Sequence, residues 1–358
     1  MSAGSVRMLR ADAAEDRSVW SEMWKNWQDA EVFAHPAYVE LFAGNRDLAM
    51  CAVMGSSSAP TIVAPFIIRQ VPGEASIRDL TGPYGYGGPY VADISVSAAD
   101  RARFTRALTE WAAENAIVTE FHRLHLFPME LADMPGERVH RSNNIVRTLN
   151  LSEDELWMDF EHKVRKNVKK AQRSGVTVSI HEDAAHFEQF HEVYLRTMER
   201  REASAGYHFS RSFFDTINRE LAGAYAYAHA WIDERIVSTE LVLVSGNRAY
   251  SFLGGTDSES FASRPNDLLK FEIMKWAKKR GLSAFVLGGG VSPGDGIERY
   301  KAAFAPSGVV PFYTAQRVFR GADYTRLCQR RAAELGTSIP PEYFPGYRAG
   351  SVVAGANT

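Results

Sequence analysis

A glycine-rich loop followed by a lysine offers the clearest chemistry in this sequence. The loop covers residues 288–296, follows an apolar strand pattern and precedes a helical pattern at 297–304 that contains Lys301. A glycine-rich loop entering a helix presents backbone N–H groups to an anion. Its spacing is neither that of a Walker loop nor that of a dinucleotide fingerprint. Lys301 either belongs to such an anion site or is an ordinary surface lysine.

A cluster of cations fills the second half of a helix predicted between residues 152 and 175. Ser152 and Glu155 form a capping box, and Gly175 suits the position just after the helix end. The predicted buried stripe is Leu156, Phe160, Val164, Val168 and Ala171. The cations are Lys163, Arg165, Lys166, Lys169, Lys170 and Arg173. They either complement the helix dipole or, because like charges at i,i+4 repel, indicate a nearby polyanion such as a diphosphate, coenzyme A or a tRNA backbone.

The segment at residues 82–90 combines several glycines with Tyr84, Tyr86 and Tyr90. Glycine permits tight turns and close backbone approach, while tyrosine offers a flat apolar face with a polar tip. The segment is therefore a strand-to-loop turn, a wall for a ligand, or both. Asp93 follows it, either as a cap or as a proton acceptor for an amine.

The elements that would carry these residues occur twice. Gly87 precedes Phe104 by 17 positions, and Gly254 precedes Phe271 by the same 17. A helical pattern with a Trp-Ala pair and then an apolar strand follow each time, and hairpins are predicted at 49–68 and 225–244. This repeat predicts a mixed α/β chain of two tandem domains, residues 1–150 and 151–345, with a flexible tail at 346–358.

Composition excludes several classes of protein. The chain has 358 residues, with 41 Lys and Arg against 43 Asp and Glu, so a uniformly basic nucleic-acid-binding surface is excluded. There are two cysteines, far apart in the sequence, and no histidine has the H-E-x-x-H spacing, so no metal site is predicted. Apolar runs fall short of the roughly 18 residues that a membrane helix needs. No secretory signal is recognised, and a cytoplasmic protein is expected.

In their order along the chain, these motifs resemble those of the FemABX peptidyltransferase family and its FemAB-related acyltransferase relatives. The run at 163–176 is similar to the helix that opens the family's second domain, and 83–89 is similar to the Gly-Pro turn of its first domain. Gly254-Gly255, the helix at 268–280, the loop at 288–290 and the run at 296–301 are similar to its second-domain pattern. The similarity covers residues 33–319.

The resemblance implies two GNAT-like acyltransferase domains, without the coiled-coil arm of some members, and transfer of an acyl group to an amine. It implies that Lys301 binds the donor or stabilises the developing oxyanion, and that Arg165 binds a phosphate. Asp93 lies one position beyond the family's acid and is the candidate base. The other residues expected to bind substrate are Tyr84, Tyr86 and Tyr90 along the acceptor groove, together with Lys163, Gly289, Gly290 and Tyr300.

The expected function is transfer of an aminoacyl group from aminoacyl-tRNA to an amine of a peptidoglycan precursor, or of a peptide or nucleoside natural product. No cofactor is expected beyond these co-substrates. The alternatives are an acyl-CoA-dependent N-acyltransferase on the same fold and a non-catalytic protein that binds a peptidoglycan or nucleotide ligand. The expected partners are aminoacyl-tRNA and a small peptide or nucleotide-linked acceptor, and a monomer is favoured.

Overall fold

Two units make up the chain: unit 1 comprises residues 1–141 and 312–358, and unit 2 comprises residues 142–311. The computed structural model describes residues 5–132 and 134–350. The strands are β1 (Val6–Arg10), β2 (Leu48–Ser56), β3 (Ala59–Gln70), β4 (Arg78–Thr81), β5 (Tyr90–Val91), β6 (Ile117–Arg123), β7 (Glu137–Thr148), β8 (Thr177–His181), β9 (Tyr225–Ile232), β10 (Arg235–Ser245), β11 (Arg248–Thr256), β12 (Ala284–Gly289) and β13 (Val309–Val318). The helices are α1 (Ala14–Asn26), α2 (Pro36–Leu41), α3 (Ala98–Glu114), α4 (Glu153–Asp159), α5 (His162–Arg173), α6 (Phe187–Arg200), α7 (Arg211–Glu220), α8 (Pro265–Lys279), α9 (Gly296–Ala302) and α10 (Gly321–Leu335).

The sheet of unit 1 is built on a hairpin of β2 and β3. Strands β1 to β4 are antiparallel neighbours, β4 and β6 are parallel, and β13 pairs antiparallel with β6. Successive residues of β2 point to opposite faces, as strand geometry requires. Cys51 packs with Trp20 of α1 on one face, and Ala52 packs with Phe104 of α3 on the other. Helices on both faces therefore bury the sheet.

The sheet of unit 2 repeats that topology. Strands β8 to β11 are antiparallel neighbours, β11 and β12 are parallel, and the end of β7 pairs antiparallel with β12. The core on one face combines residues of α4, α5 and α8, such as Leu156, Val168 and Ile273, with Val242 of β10. The predicted mixed α/β class and the duplication are both confirmed. Within the described residues the longest helix is α3, with 17 residues, so this part of the chain has no long helical arm.

The C-terminal end of the predicted second domain belongs to unit 1. Residues 312–345 were expected in the second domain because they follow it in the sequence, but Thr314 to Val318 of β13 pair with β6. Leu327 of α10 packs with Val118 of β6. The pairing of the strands is the reason: β7 pairs with β12, and β13 pairs with β6.

Residues 346–350, the start of the expected flexible tail, pack within unit 1. Tyr347 is buried, and its hydroxyl donates to Asp79 Oδ2 at 3.0 Å. Arg348 Nε donates to the same oxygen at 2.5 Å, while Arg69 Nε donates to Asp79 Oδ1 at 2.8 Å. Asp79 is fully buried, so these donors satisfy a carboxylate that water does not reach. Residues 351–358 of the expected tail lie outside the described residues.

The single helix expected between residues 152 and 175 is two helices, α4 and α5. The capping box is present, with the Ser152 hydroxyl accepting from Glu155 N at 3.2 Å, and Gly175 has the positive φ of +75° expected after a helix end. The break falls at Phe160, whose backbone is extended. Glu161 N donates to Ala303 O at 3.0 Å, and this contact within unit 2 draws the chain out of the helix. The predicted apolar stripe is buried throughout.

No described helix is both long enough and apolar enough to cross a lipid bilayer.

Candidate active site

The glycine-rich loop after β12 is closed by one of its own carboxylates. Asp295 caps α9 by accepting from Glu298 N at 2.7 Å, and it also accepts from Val291 N at 2.7 Å and Ser292 N at 3.2 Å. These hydrogen bonds lower the pKa of Asp295. A Cβ at Gly290 would lie 2.4 Å from Asp295 Oδ1. The predicted anion cradle therefore exists, but Asp295 occupies it, so it is not open to a ligand phosphate.

Lys301 lies on α9 with its ammonium against the end of β12. Lys301 Nζ donates to Gly289 O at 2.7 Å. Burial and the positive charge of Lys270 lower the pKa of Lys301 to about 8, although Glu240 and Asp295 act in the opposite direction. Lys301 is thus a partly desolvated cation, and its role at the donor or the oxyanion stays a prediction. The glycine at position 289 is required because a Cβ there would lie 2.7 Å from Asn143 O.

An ion pair that sequence reasoning missed lies near Lys301. Lys270 Nζ donates to Glu240 Oε2 at 2.5 Å and to Ser251 Oγ at 2.8 Å, and both charged side chains are buried. The signal was present in the sequence. Glu240 is the one charged residue within the apolar strand pattern 236–244, and Lys270 falls on the buried face of the helix predicted at 268–280. Charged side chains are rarely buried unless they are paired.

Strands β11 and β12 separate where these residues meet. The two strands pair only from Arg248 to Tyr250 with Ala284 to Val286, whereas β11 runs on to Thr256 and β12 to Gly289. Beyond the paired part, β11 follows β10 and β12 follows β7. The two strands therefore open a wedge, and their facing backbone edges are free of pairing with each other. Ser251 lies on one side of the wedge and Gly289, with Lys301, on the other.

A second polar network lies beside the wedge, between α5, α8 and α9. Asn266 Nδ2 donates to the Tyr300 hydroxyl at 2.9 Å, and Asn167 Nδ2 donates to Asp267 Oδ1 at 3.0 Å. Burial raises the pKa of Tyr300, with a further contribution from Asp267, and burial also raises the pKa of Asp267. The Tyr300 ring packs on Phe304. Tyr300 therefore fixes α9, and with it Lys301, against α8.

The part of the chain that carries this wedge has a recognisable family pattern. Residues 158–302 match the family model of the acetyltransferase (GNAT) domain. The structure of FemX is similar over 87% of this chain and 98% of its own, with a TM-score of 0.63 and 14% identity. The chain has the fold of FemX. The resemblance inferred from the sequence is therefore confirmed, and it is the GNAT-type fold that the two structures share.

Two further solved structures share this FemX-like fold. One is the C-terminal domain of an Agrobacterium fabrum protein designated a lysylphosphatidylglycerol synthetase, at 15% identity and TM-score 0.53, covering 89% of this chain and 97% of its own. The other is a conserved protein of unknown function from Bacteroides thetaiotaomicron, at 10% identity and TM-score 0.53, covering 87% and 99%. None of the curated proteins matches this sequence.

The basic face of this GNAT domain lies along α5. Lys166, Lys170 and Arg173 are exposed, and none of them forms an ion pair with another described residue. Lys163 is exposed as well, and its Nζ lies 3.1 Å from Glu161 Oε2. Both interpretations of this charge cluster fit these contacts. Cations near the C-terminus of α5 complement the helix dipole. Because Lys166, Lys170 and Arg173 lack ion-pair partners among the described residues, their charges are also available to a polyanion.

Arg165, which was expected to bind a phosphate, is engaged by the backbone. Its Nη1 donates to Met158 O at 2.8 Å and also to Phe160 O. These are carbonyls at the end of α4, where the helix leaves its final acceptors without partners. Arg165 therefore stabilises the break between α4 and α5, and its phosphate-binding role stays a prediction.

The three tyrosines of unit 1 differ in exposure. Tyr84 and Tyr86 are half-buried, and Tyr86 packs against Phe33 and Phe312. Tyr90 has no exposed surface, and its hydroxyl donates to Tyr86 O. The Tyr90 ring is part of the core between Trp27 and His125, and its place in an acceptor groove stays a prediction.

Asp93 is exposed on the loop after β5. Its Oδ1 accepts from Ser95 N at 2.9 Å, and the hydrogen bonds with Ser95 lower its pKa. This is the geometry of a capping aspartate, which was one of the two alternatives from the sequence. A carboxylate with a lowered pKa is a weaker proton acceptor, so the contacts favour the capping role.

One group of described side chains in unit 1 has the composition of a metal site. Glu31, His125 and Glu130 each offer a ligand atom within 4.8 Å of the others. Carboxylate and imidazole ligands suit several divalent transition metals. His125 Nε2 also lies 3.1 Å from Glu31 Oε1, so a hydrogen bond joins these two side chains directly. The sequence gave no spacing signal for this group, and the expectation of no metal stays a prediction.

Proposed function

We propose that this chain is an acyltransferase that moves an aminoacyl group from aminoacyl-tRNA to an amine and forms an amide. The acceptor is a peptidoglycan precursor, or a peptide or nucleoside natural product. One observation carries the proposal: the Lys301 ammonium is held on Gly289 O beside the opened β11–β12 wedge. A partly desolvated cation beside an unpaired backbone edge is suited to a substrate carbonyl.

The chemistry needs no covalent enzyme intermediate. An aminoacyl ester is already activated, so the amine nitrogen attacks the carbonyl carbon, the C–N bond forms and the ester C–O bond breaks. Lys301 stabilises the negative charge that develops on the carbonyl oxygen. Alignment of amine and ester in the wedge supplies much of the remaining acceleration. The proton lost by the amine passes through a carboxylate or the substrate to the leaving hydroxyl.

The basic face of α5 supports a polyanionic donor. Lys166, Lys170 and Arg173 present unpaired positive charge on the same unit as the wedge. Phosphate contacts of this kind supply affinity without sequence specificity. The name of one structural relative, lysylphosphatidylglycerol synthetase, likewise denotes attachment of an amino acid to an acceptor. An aminoacyl group on a nucleic-acid carrier fits both features.

A second candidate is an acyl-CoA-dependent N-acyltransferase. The observation that favours it is the match of residues 158–302 to the GNAT acetyltransferase domain model. The carboxylate of Asp295 in the glycine loop counts against a diphosphate at that loop. A protein that binds a peptidoglycan or nucleotide ligand without catalysis is the third candidate.

A donor competition assay separates these functions. The purified chain is incubated with a mixed amine acceptor pool, using either bulk tRNA charged with labelled amino acids or labelled acetyl-CoA. We expect labelled amide only with charged tRNA, and we expect ribonuclease treatment of that donor to abolish it. Product from acetyl-CoA that survives ribonuclease would establish the second candidate instead. Ligand binding without product from either donor would establish the third.

Charge reversal on α5 tests the site of tRNA binding. In the triple variant K166E, K170E and R173E we expect the Kd for bulk tRNA to rise about tenfold or more, because phosphate contacts are lost. The control is K25E, R46E and R106E, which changes the net charge equally at exposed positions of unit 1. Equal weakening by both triple variants would show that only net charge matters and would remove α5 from the binding surface.

A further inference from the structure

Glu240 carries a buried carboxylate oxygen that has no hydrogen-bond partner. The side chain is on β10 and only 4% of the residue is exposed. Its Oε2 accepts from Lys270, but Oε1 accepts from no described residue. Such an oxygen, removed from water without a donor, is costly. Native proteins keep few such groups, and each one that persists calls for an explanation, of which a functional role is one.

The strand opposite Glu240 offers no side chain to the unpartnered carboxylate oxygen. The cross-strand partner of Glu240 on β11 is Gly254, which has no side chain. A Cβ at residue 254 would lie 3.5 Å from the Cβ of Glu240 and only 2.6 Å from Thr239 O. Beyond Tyr250, β11 no longer pairs with β12. Strands β10 and β11 therefore approach closely beside Glu240, and a ligand group would reach Oε1 from the β11–β12 wedge rather than across β10.

The surroundings restrict what can bind to Oε1. An ionised carboxylate only accepts hydrogen bonds, so its partner must be an N–H or O–H donor. Lys270 and Lys301 place two positive charges near it, and Lys301 is already bonded to Gly289 O. A second carboxylate or a phosphate would meet Glu240 directly and be repelled. An amine N–H meets this requirement, and its bond to an ionised carboxylate is roughly twice as strong as a neutral hydrogen bond.

We propose that Glu240 Oε1 binds an amino group of a substrate in the wedge between β11 and β12. The inference rests on the proposed function and deepens it, because it places an amine within the same wedge as Lys301. The amino group belongs either to the aminoacyl donor, beside its reacting carbonyl, or to the acceptor. In the first case the enzyme distinguishes aminoacyl groups from simple acyl groups. In the second case Glu240 orients the nucleophile.

Fragment binding tests the proposal without requiring turnover. Ligand-observed NMR titrations compare L-alaninamide with propionamide, which lacks only the amino group. They also compare Nα-acetyl-L-lysinamide with Nα-acetyl-L-norleucinamide, a near-isostere without the side-chain amine. The first pair represents the donor and the second represents the acceptor. The wild-type chain is measured beside the double variant E240Q/K270M, which removes both charges together so that neither is left buried alone.

A matched control uses an ion pair that lies wholly on α8, the helix that carries Lys270. Glu272 and Lys275 lie on α8 at 3.1 Å and are partly exposed, so E272Q/K275M makes the same chemical change away from the wedge. We expect at least one amine to bind the wild type more tightly than its isostere. We expect E240Q/K270M to weaken that binding about tenfold and the control to leave it unchanged. Circular dichroism verifies that both variants are folded.

Each outcome decides the inference. Loss confined to L-alaninamide supports it with the donor as source, and loss confined to the lysine derivative supports it with the acceptor as source. Equal binding of each amine and its isostere, or amine binding that survives E240Q/K270M, overturns it and leaves water as the partner of Oε1. Should E240Q/K270M not fold, the single variant E240Q takes its place in the same comparison. If the chain has no transferase activity but still binds amines through Glu240, only the proposed function is contradicted. If the chain is active but Glu240 binds no amine, only this inference is contradicted.

Discussion

At the scale of single residues, Lys301 is the group whose chemistry depends most on its surroundings. Exposed lysines keep their protons to high pH, but burial and Lys270 lower the pKa of Lys301 to about 8. The charged groups around it come from three elements: Lys270 from α8, Glu240 from β10 and Asp295 from the loop before α9. Lys301 is therefore protonated near pH 7, and it loses its positive charge as the pH rises through about 8.

Replacing Lys301 tests its assigned role. Lys301→Ala removes the cation that would stabilise the oxyanion, so kcat is expected to fall about tenfold or more. The matched control is Lys279→Ala, an exposed lysine at the end of α8, which should retain wild-type kcat. Wild-type turnover in a folded Lys301→Ala protein would contradict the role.

The pH dependence of turnover is a second test of Lys301. The protonated form is active, so kcat should fall as pH rises through about 8, the pKa of Lys301 in the folded chain. Lys301→Arg keeps its charge throughout this range and should therefore lose that decline, even if its kcat is lower. Comparing the two profiles with one acceptor cancels the ionisation of the acceptor amine. Profiles of the same shape would indicate that another group titrates.

For Asp93, in contrast to Lys301, we predict that a substitution has little effect on turnover. Asp93→Asn keeps an oxygen that accepts from Ser95 N but removes the basic carboxylate. Because the wild-type carboxylate is exposed and its pKa is lowered, kcat is expected to stay within about twofold of wild type, far less than the loss of a general base would cause. A fall as large as that of Lys301→Ala would restore Asp93 as the base.

At the scale of elements, the break between α4 and α5 sets the direction of the basic helix. The chain turns at Phe160, whose ring packs against Phe271 and Phe304. Glu161 N then bonds to Ala303 O, next to the end of α9. The break thus ties α5 to the helix that carries Lys301. A continuous helix would place the cations of α5 elsewhere.

Arg165 is expected to act on this break more than on a phosphate. Arg165→Leu removes the hydrogen bonds to Met158 O and Phe160 O. The free energy of unfolding should fall by about 1–3 kcal/mol, the usual value for bonds to a charged group. Lys166→Leu, at an exposed position of the same helix, should change it little. A stability equal to wild type, combined with weaker tRNA binding, would favour the phosphate-binding role.

At the scale of the whole molecule, unit 1 is completed by residues from the far end of the chain. Strand β13 follows unit 2 in the sequence but pairs with β6, and α10 and residues 346–350 follow it into unit 1. Tyr347 and Arg348 bond there to the buried Asp79. The stability of unit 1 therefore depends on residues at the far end of the chain.

Tyr347→Phe measures that dependence. The variant loses the hydroxyl that donates to Asp79 at 3.0 Å and lies 2.6 Å from Thr119 Oγ1. Leaving buried partners unsatisfied costs about 1–3 kcal/mol of unfolding free energy. Tyr313→Phe, at a half-buried position in the same unit, is the control and should unfold like wild type. Equal stability of the two variants would show that residues 346–350 contribute little to unit 1.

The sequence by itself determined the features that depend on neighbours within a few positions. The capping box at Ser152, the apolar stripe of 156–171, the hairpins and the repeated glycine turns follow from local periodicity and backbone preference. Only the tertiary structure decided which strands β7 and β13 pair with, because the pattern within a strand does not specify its partner. It also brought Glu240 to Lys270, 30 positions away, and filled the glycine loop with Asp295. Such pairings depend on chain direction and packing in three dimensions, which no local pattern encodes.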